Sequence, residues 1–172
     1  TVSQSTLSGN STAGVNAHGG AIYSAYGAAV LISQSTLTNN HAYRSMGGAI
    51  FTDSSPITIQ NSIVAVNTDD GTAPDVMLPP QATLAVAYSL IGNNKGTGLS
   101  ATVGSTPSAS GNFIGSTASP LNPMLGPLQD NGGVTFTHAL QGGLALNHGS
   151  NALAVDPTNG NAVLTIDQRG TG

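Results

Sequence analysis

A chain of 172 residues has room for one domain with a real core or for one stretch of a longer repeat. Only 6% of its residues are charged, and a net charge of -4 with three cations excludes a basic footprint, so no nucleic-acid partner is expected. The lack of cysteine excludes a disulfide framework, a thiolate metal site and a thiol nucleophile, and no apolar run reaches the roughly 18 residues of a membrane helix, so no membrane insertion is expected.

The first element, residues 2–10, recurs almost verbatim as Ile-Ser-Gln-Ser-Thr-Leu-Thr-Asn-Asn at 32–40. Looser copies follow at 59–67 and 86–94, so the steps are 30, 27 and 27 residues. Four columns stand out: Val2, Ile32, Ile59 and Val86; Ser5, Ser35, Ser62 and Ser89; Leu7, Leu37, Val64 and Ile91; Asn10, Asn40, Asn67 and Asn94. A second motif follows each of the first three copies, as Gly19-Gly20-Ala21-Ile22-Tyr23, Gly47-Gly48-Ala49-Ile50-Phe51 and Pro74-Asp75-Val76-Met77-Leu78.

Short β-branched runs broken by Gly, Asn, Ser and Pro read as strands and turns. No segment spaces apolar residues at helical intervals over three turns. Two strand motifs per period fit one coil of a parallel β-helix, whose aliphatic columns become interior stacks once three or more coils pile up. The asparagines are predicted to occupy left-handed corners and to pass hydrogen bonds from coil to coil, a structural ladder through Asn10, Asn40, Asn67 and Asn94. Insertions then fall in loops at 9–17, 41–46 and 67–73.

Residues 95–119 break the rhythm with a Gly/Ser/Thr-rich excursion that ends in a degenerate fifth coil carried by Phe113 and Ile114. Pro120, Pro123 and Pro127 pin an extended segment. The turn Asp130-Asn131-Gly132-Gly133 leads into a predicted strand over 134–140, with Val134, Phe136 and Leu140 on one face. Further short strands are predicted at 144–146 and 163–166, with a turn-rich loop at 156–161. The division is therefore coils over 1–118 and a C-terminal segment, 119–172, predicted to continue the same solenoid.

The blocks Ser62-Ile63-Val64-Ala65, Ser89-Leu90-Ile91-Gly92-Asn93, residues 122–133, Thr137-His138-Ala139-Leu140, residues 151–156 and Asp167-Gln168-Arg169-Gly170 follow in an order that resembles the choice-of-anchor Q domain. The resemblance implies a right-handed, pectate-lyase-like parallel β-helix of about four to six coils with an irregular C-terminal segment. It implies large secreted or surface-attached bacterial proteins and brings no established catalytic residues. Two departures stand out. Residues 142–147 replace the family's Gly-Ser-Pro-Ala-Ile-Asp, and the family continues past Asp-Gln-Arg-Gly into a final strand. The chain is accordingly expected to be a processed product or part of a longer solenoid.

Asp69, Asp70 and Asp75 are the candidate metal ligands, oxygens for a structural Ca²⁺, with Asp53 one coil before and Arg44 near the same face. The competing reading is a solvated acidic turn, with no cofactor at all. Asp69 and Asp70 as neighbours do not make the separated carboxylate pair of a glycoside hydrolase. His18, His41, His138 and His148 lack zinc-ligand spacing. Tyr23 and Phe51 sit one coil apart, as a stacked pair or a sugar platform. Asn10-Ser11-Thr12 matches a glycosylation acceptor. Arg169 is expected to pair with Asp167, Asp156 or Asp130.

The sequence thus points to a non-enzymatic structural module, the rod of an adhesin, stalk, sheath or fibre, extracellular or on a bacterial surface. Self-association through the solenoid ends, even into filaments, is one expectation, because coil ends expose strand edges. The alternative is a polysaccharide-binding or polysaccharide-cleaving module that meets surface glycans along 41–46 and 67–74.

Overall fold

The computed structural model describes residues 1–14, 17–71 and 73–170. Four parallel sheets run along it. Sheet A stacks Val2–Ser3, Val30–Ser33, Ile57–Gln60 and Leu84–Ala87. Sheet B stacks Thr6–Ser8, Thr36–Thr38, Ile63–Ala65, Leu90–Ile91 and Phe113–Ile114. Sheet C holds Ser11–Ala13, His41–Tyr43 and Thr68–Asp69; sheet D holds Ile22–Ser24, Ile50–Thr52 and Val76–Met77. The chain is an all-β solenoid of about four coils. Each expected loop at 9–17, 41–46 and 67–73 carries a sheet C strand, and the first motif splits between sheets A and B, so the first three coils hold four strands each where two motifs per period suggested fewer.

The register follows the columns. Val2 pairs with Ile32, Ile32 with Ile59 and Ile59 with Val86; Leu7, Leu37, Val64, Ile91 and finally Ile114 form the second stack. Ile32, Leu37, Ile50, Ile59, Val64, Val76 and Ile91 are all fully buried at 0% exposure. Each such side chain contributes roughly 1.5–3 kcal/mol, which is why the interior stacks dominate the fold. Gly20 and Gly48 mark the bend from sheet C to sheet D. A Cβ on either would lie 2.1 or 2.2 Å from the carbonyl oxygen of Gly48 or Pro74 one coil on.

Two corners repeat a left-handed residue. Gln4, Gln34, Asn61 and Tyr88 have φ of 46, 45, 47 and 49°, and Gly9, Asn39 and Val66 have φ of 70, 55 and 62°. The left-handed position is therefore the residue before each ladder asparagine, not the asparagine itself. Left-handed φ costs a non-glycine residue about 1–2 kcal/mol. The gain is that the following side chain turns along the solenoid axis.

After the first corner that side chain is serine. The Ser5, Ser35 and Ser62 N–H groups donate to Ser35, Ser62 and Ser89 Oγ, each at 3.1 Å, and each Oγ donates in turn to a carbonyl two residues back. Asn112 Oδ1 closes the series by accepting from Ser89 N–H. After the second corner it is asparagine. The Asn10 N–H and Nδ2 donate to Asn40 Oδ1 at 3.0 and 2.9 Å, and Asn40 donates likewise to Asn67. Asn94 is not the next rung. Asn67 donates to Asp75 Oδ1 instead, and Asn94 Nδ2 turns to Leu99 O. The fourth coil has no sheet C strand; the chain cuts across to sheet D, where Leu78 N–H donates to Gly96 O.

Residues 119–170 do not continue the solenoid. They form two antiparallel hairpins, Leu125–Gln129 with Thr137–Leu140 and Val155–Asp156 with Ala162–Val163. The strand expected over 134–140 starts only at Thr137, leaving Val134 and Phe136 95% and 61% exposed. Residues 144–146 are a turn, and 163–166 reduce to the end of a two-residue strand. With no 27-residue spacing to place an aliphatic over each column, this segment packs as a strap outside sheet B. Leu121, Leu144 and Ala145 cover Ala65, Leu90 and Phe113. Side-chain amides on the first corner then hold it: Asn61 exchanges two bonds with Ser150, Gln34 donates to Leu153 O, and Gln4 donates to Ile166 O. The hairpin reaches the first coil, where His138 Nε2 meets Ser8 Oγ at 2.8 Å.

Candidate functional site

The chemistry-bearing side chains outside the core gather where sheet C bends into sheet D. On the outer side of sheet C, His41 Nδ1 lies 2.6 Å from Thr68 Oγ1, one coil on. Its Nε2, screened from solvent and without a hydrogen-bond partner, lies 3.5 Å from Asp70 Oδ1. The Tyr43 ring stands edge-on to His41 at 3.9 Å. At the bend, His18 Nδ1 and the buried Ser45 hydroxyl are 2.5 Å apart, and the His18 ring stacks on Phe51 at 4.1 Å. Tyr23 tilts against Phe51 at 5.6 Å and is 56% exposed. The result is two groups of rings, each with one histidine: His41 with Tyr43 on sheet C, and His18 with Phe51 and Tyr23 at the bend.

The carboxylates on this face are engaged. Asp69 Oδ2 accepts Ala73 N–H and Asp70 Oδ2 accepts Arg44 N–H. Asp75 stands in register with Ala49, inside the solenoid and 1% exposed. Its Oδ1 accepts both Asn67 donors, and its Oδ2 accepts Asn93 N–H at 2.7 Å. Burial outweighs those hydrogen bonds and pushes its carboxyl from 3.8 up to about 6, with Asp69 adding a smaller upward push. Asp53 lies in the turn after sheet D, bonded to Ser54 Oγ. Among the described residues no three His or Asp side chains gather as a metal cluster. A recess of about 250 Å³ lies beside Asp75, lined by Val66, Pro74, Asn93 and Leu121 among others.

The other candidates fall elsewhere. His138 bonds Gly126 O and Ser8, and His148 stands edge-on to Phe113 at 4.8 Å; both tie the strap to the coils. Arg169 pairs with Asp167. The Asn10 amide, the sugar acceptor of the sequence motif, is committed to Asn40. The pairs His18–Ser45 and His41–Thr68, each 27 residues apart, were not singled out from the sequence. The coil period was the signal that could have found them.

The family model described as right-handed beta helix region matches residues 1–157. No curated protein and no solved structure matches. Among the described residues no helix is long and apolar enough to cross a membrane. With nearly the whole chain matched and parallel coils from Val2 to Ile114, the chain belongs to the right-handed beta helix family.

Proposed function

We propose that the chain is a non-enzymatic structural module, a rod within an adhesin, stalk, sheath or fibre outside a bacterial cell. The observation that carries this reading is the state of the acids on the one face rich in chemistry. Asp69, Asp70 and Asp75 each accept backbone N–H groups, and Asp75 is sealed inside. A general acid and base need carboxyls free to reach a substrate. The same N–H bonds argue for these acids as turn and ladder ends rather than as a calcium cage. The extracellular bacterial setting is supported by the resemblance of residues 122–140 to the choice-of-anchor Q domain and by a sparsely charged, cysteine-free composition. Incubating the full chain with a panel of plant, algal and bacterial polysaccharides tests the reading. No release of reducing or unsaturated ends is expected, and sustained product release overturns it.

A second reading rests on the rings. Tyr23, 56% exposed, stands beside the His18–Phe51 stack, and Tyr43, 51% exposed, stands beside His41. Exposed rings of this kind offer apolar faces to sugars, so the module would hold a surface glycan without cleaving it. Retention on an immobilised glycan that is lost in Tyr23→Ala and Tyr43→Ala supports this reading; unchanged retention removes it.

A further inference from the structure

The strap does not close fully onto sheet B. A cleft of about 120 Å³ stays open between the sheet and the strap residues Ala145, His148 and Gly149. Its floor is apolar, made by Ile63, Leu90 and Phe113, the last two 2% exposed. Its more exposed walls are rings: His148 stands edge-on to Phe113 at 4.8 Å, and Tyr88 is 41% exposed. Tyr88 is the exception in its column. Gln4, Gln34 and Asn61 occupy the same left-handed corner and each extends an amide to the strap, whereas Tyr88 brings a ring to the cleft. Gly111 leaves that ring its place, because a Cβ there would come within 2.5 Å of Tyr88 Cδ1.

The polar side chains on the floor side of the cleft are already spent. Ser62 and Ser89 Oγ each accept a ladder N–H and donate to a carbonyl, and Asn61 exchanges two bonds with Ser150. A water there would find few of the two to four partners that hold a buried water. Among the described residues no Asp, Lys or Arg lines the cleft, so a charged group would enter without a counter-ion.

We propose that the cleft is a binding site for one neutral aromatic ring carried by a small molecule, seated on Leu90 and Phe113 with Tyr88 and His148 as its ring partners. The size fits: an apolar cavity of about 150 Å³ holds benzene, and a half-open cleft leaves a polar substituent in water. Rings gain from edge-to-face or offset contact with other rings beyond the area they bury. An aliphatic ring of the same size lacks that gain. The site lies on sheet B under the strap, apart from Tyr23 and Tyr43, so neither reading of the sheet C face bears on it.

Titrating the full, isotope-labelled chain with phenol tests the site, followed by NMR at the Ile63 and Leu90 methyl groups. Saturable shifts at both are expected, with a Kd of about 1 mM, ordinary for a ligand of so few atoms. Benzoate should bind about 10-fold more weakly for want of a counter-ion, and cyclohexanol about 10-fold more weakly for want of a ring face. Ala145→Leu, which fills the cleft from the strap, should abolish the shifts. Tyr88→Leu keeps the amide clasps and removes a ring wall, and should weaken binding about 10-fold; unchanged Leu37 methyl signals show that the coils of both variants are intact. The proposal is overturned if phenol gives no saturable shift up to about 20 mM, or if cyclohexanol binds the unaltered chain as well as phenol does. It is equally overturned if neither variant weakens binding while Leu37 stays unchanged.

Discussion

The coils and the strap hold themselves by different means. Among the described residues, every nearly fully buried aliphatic or aromatic side chain lies between Ile32 and Ile114, and none from Leu128 onward is buried. The coils rest on core and ladder, in which each residue is fixed by its copy one turn away. The strap rests on a small apolar patch and on single amides that reach out from the corner residues. A defect in a coil is therefore shared with its neighbours, while a defect in the strap stays local.

The widest contrast should come from cavities. Leu37→Ala, in the middle of a column, is expected to cost about 2–5 kcal/mol in denaturant unfolding, and Val163→Ala in the strap no more than about 0.5 kcal/mol. Comparable losses at the two sites would break the comparison. Next comes Asp75, the one acid inside the coils. Its folded carboxyl, raised from 3.8 to about 6, binds the proton more tightly than the unfolded one. Its contribution is therefore full below about pH 4 and is lost as pH climbs through 6, up to about 3 kcal/mol in all. Urea midpoints at pH 4.5 and 7.5 should show that slope, and Asp75→Asn should flatten it; an unchanged slope in the variant assigns it to another group.

Ladder positions separate more finely. Asn40→Ala removes bonds to Asn10, Asn67 and Leu7 and is expected to cost about 2 kcal/mol. Asn94→Ala removes a single bond to Leu99 O and should cost about 1 kcal/mol or less. Equal costs at the two positions would put Asn94 back on the ladder. The smallest effect is expected at the clasp. Gln34→Ala frees the strap at Leu153 for under about 1 kcal/mol, and limited proteolysis should cut near residue 153 sooner while the coils stay intact.

These contrasts follow what could be read from residues alone. Columns such as Leu7, Leu37, Val64 and Ile91 were legible because stacking repeats one requirement, an aliphatic of fixed direction, every turn. The first corner was not, because three of its four left-handed residues, Gln4, Gln34 and Tyr88, are not the Gly, Asn or Asp that commonly take this conformation. Asn94 was placed on the ladder because it keeps the spacing. Its coil lacks the strand that would carry the rung, and the acceptor comes from Asp75, just before the sheet D strand Val76–Met77. The strap has no period, so its antiparallel hairpins and its path across sheet B left no repeating trace. The histidine pairs on the candidate face lay hidden for another reason. Metal spacing within one strand is the wrong ruler for groups that meet between coils.

The central claim is that like side chains stack along one axis and bond from coil to coil. Hydrogen exchange of the asparagine carboxamides by NMR tests it most directly. The Asn40 and Asn67 side-chain protons should exchange as slowly as the buried amides of Leu37 and Val64, with Asn94 faster than both. Free-amide exchange rates at Asn40 and Asn67 would contradict the ladder and the stacking that it requires.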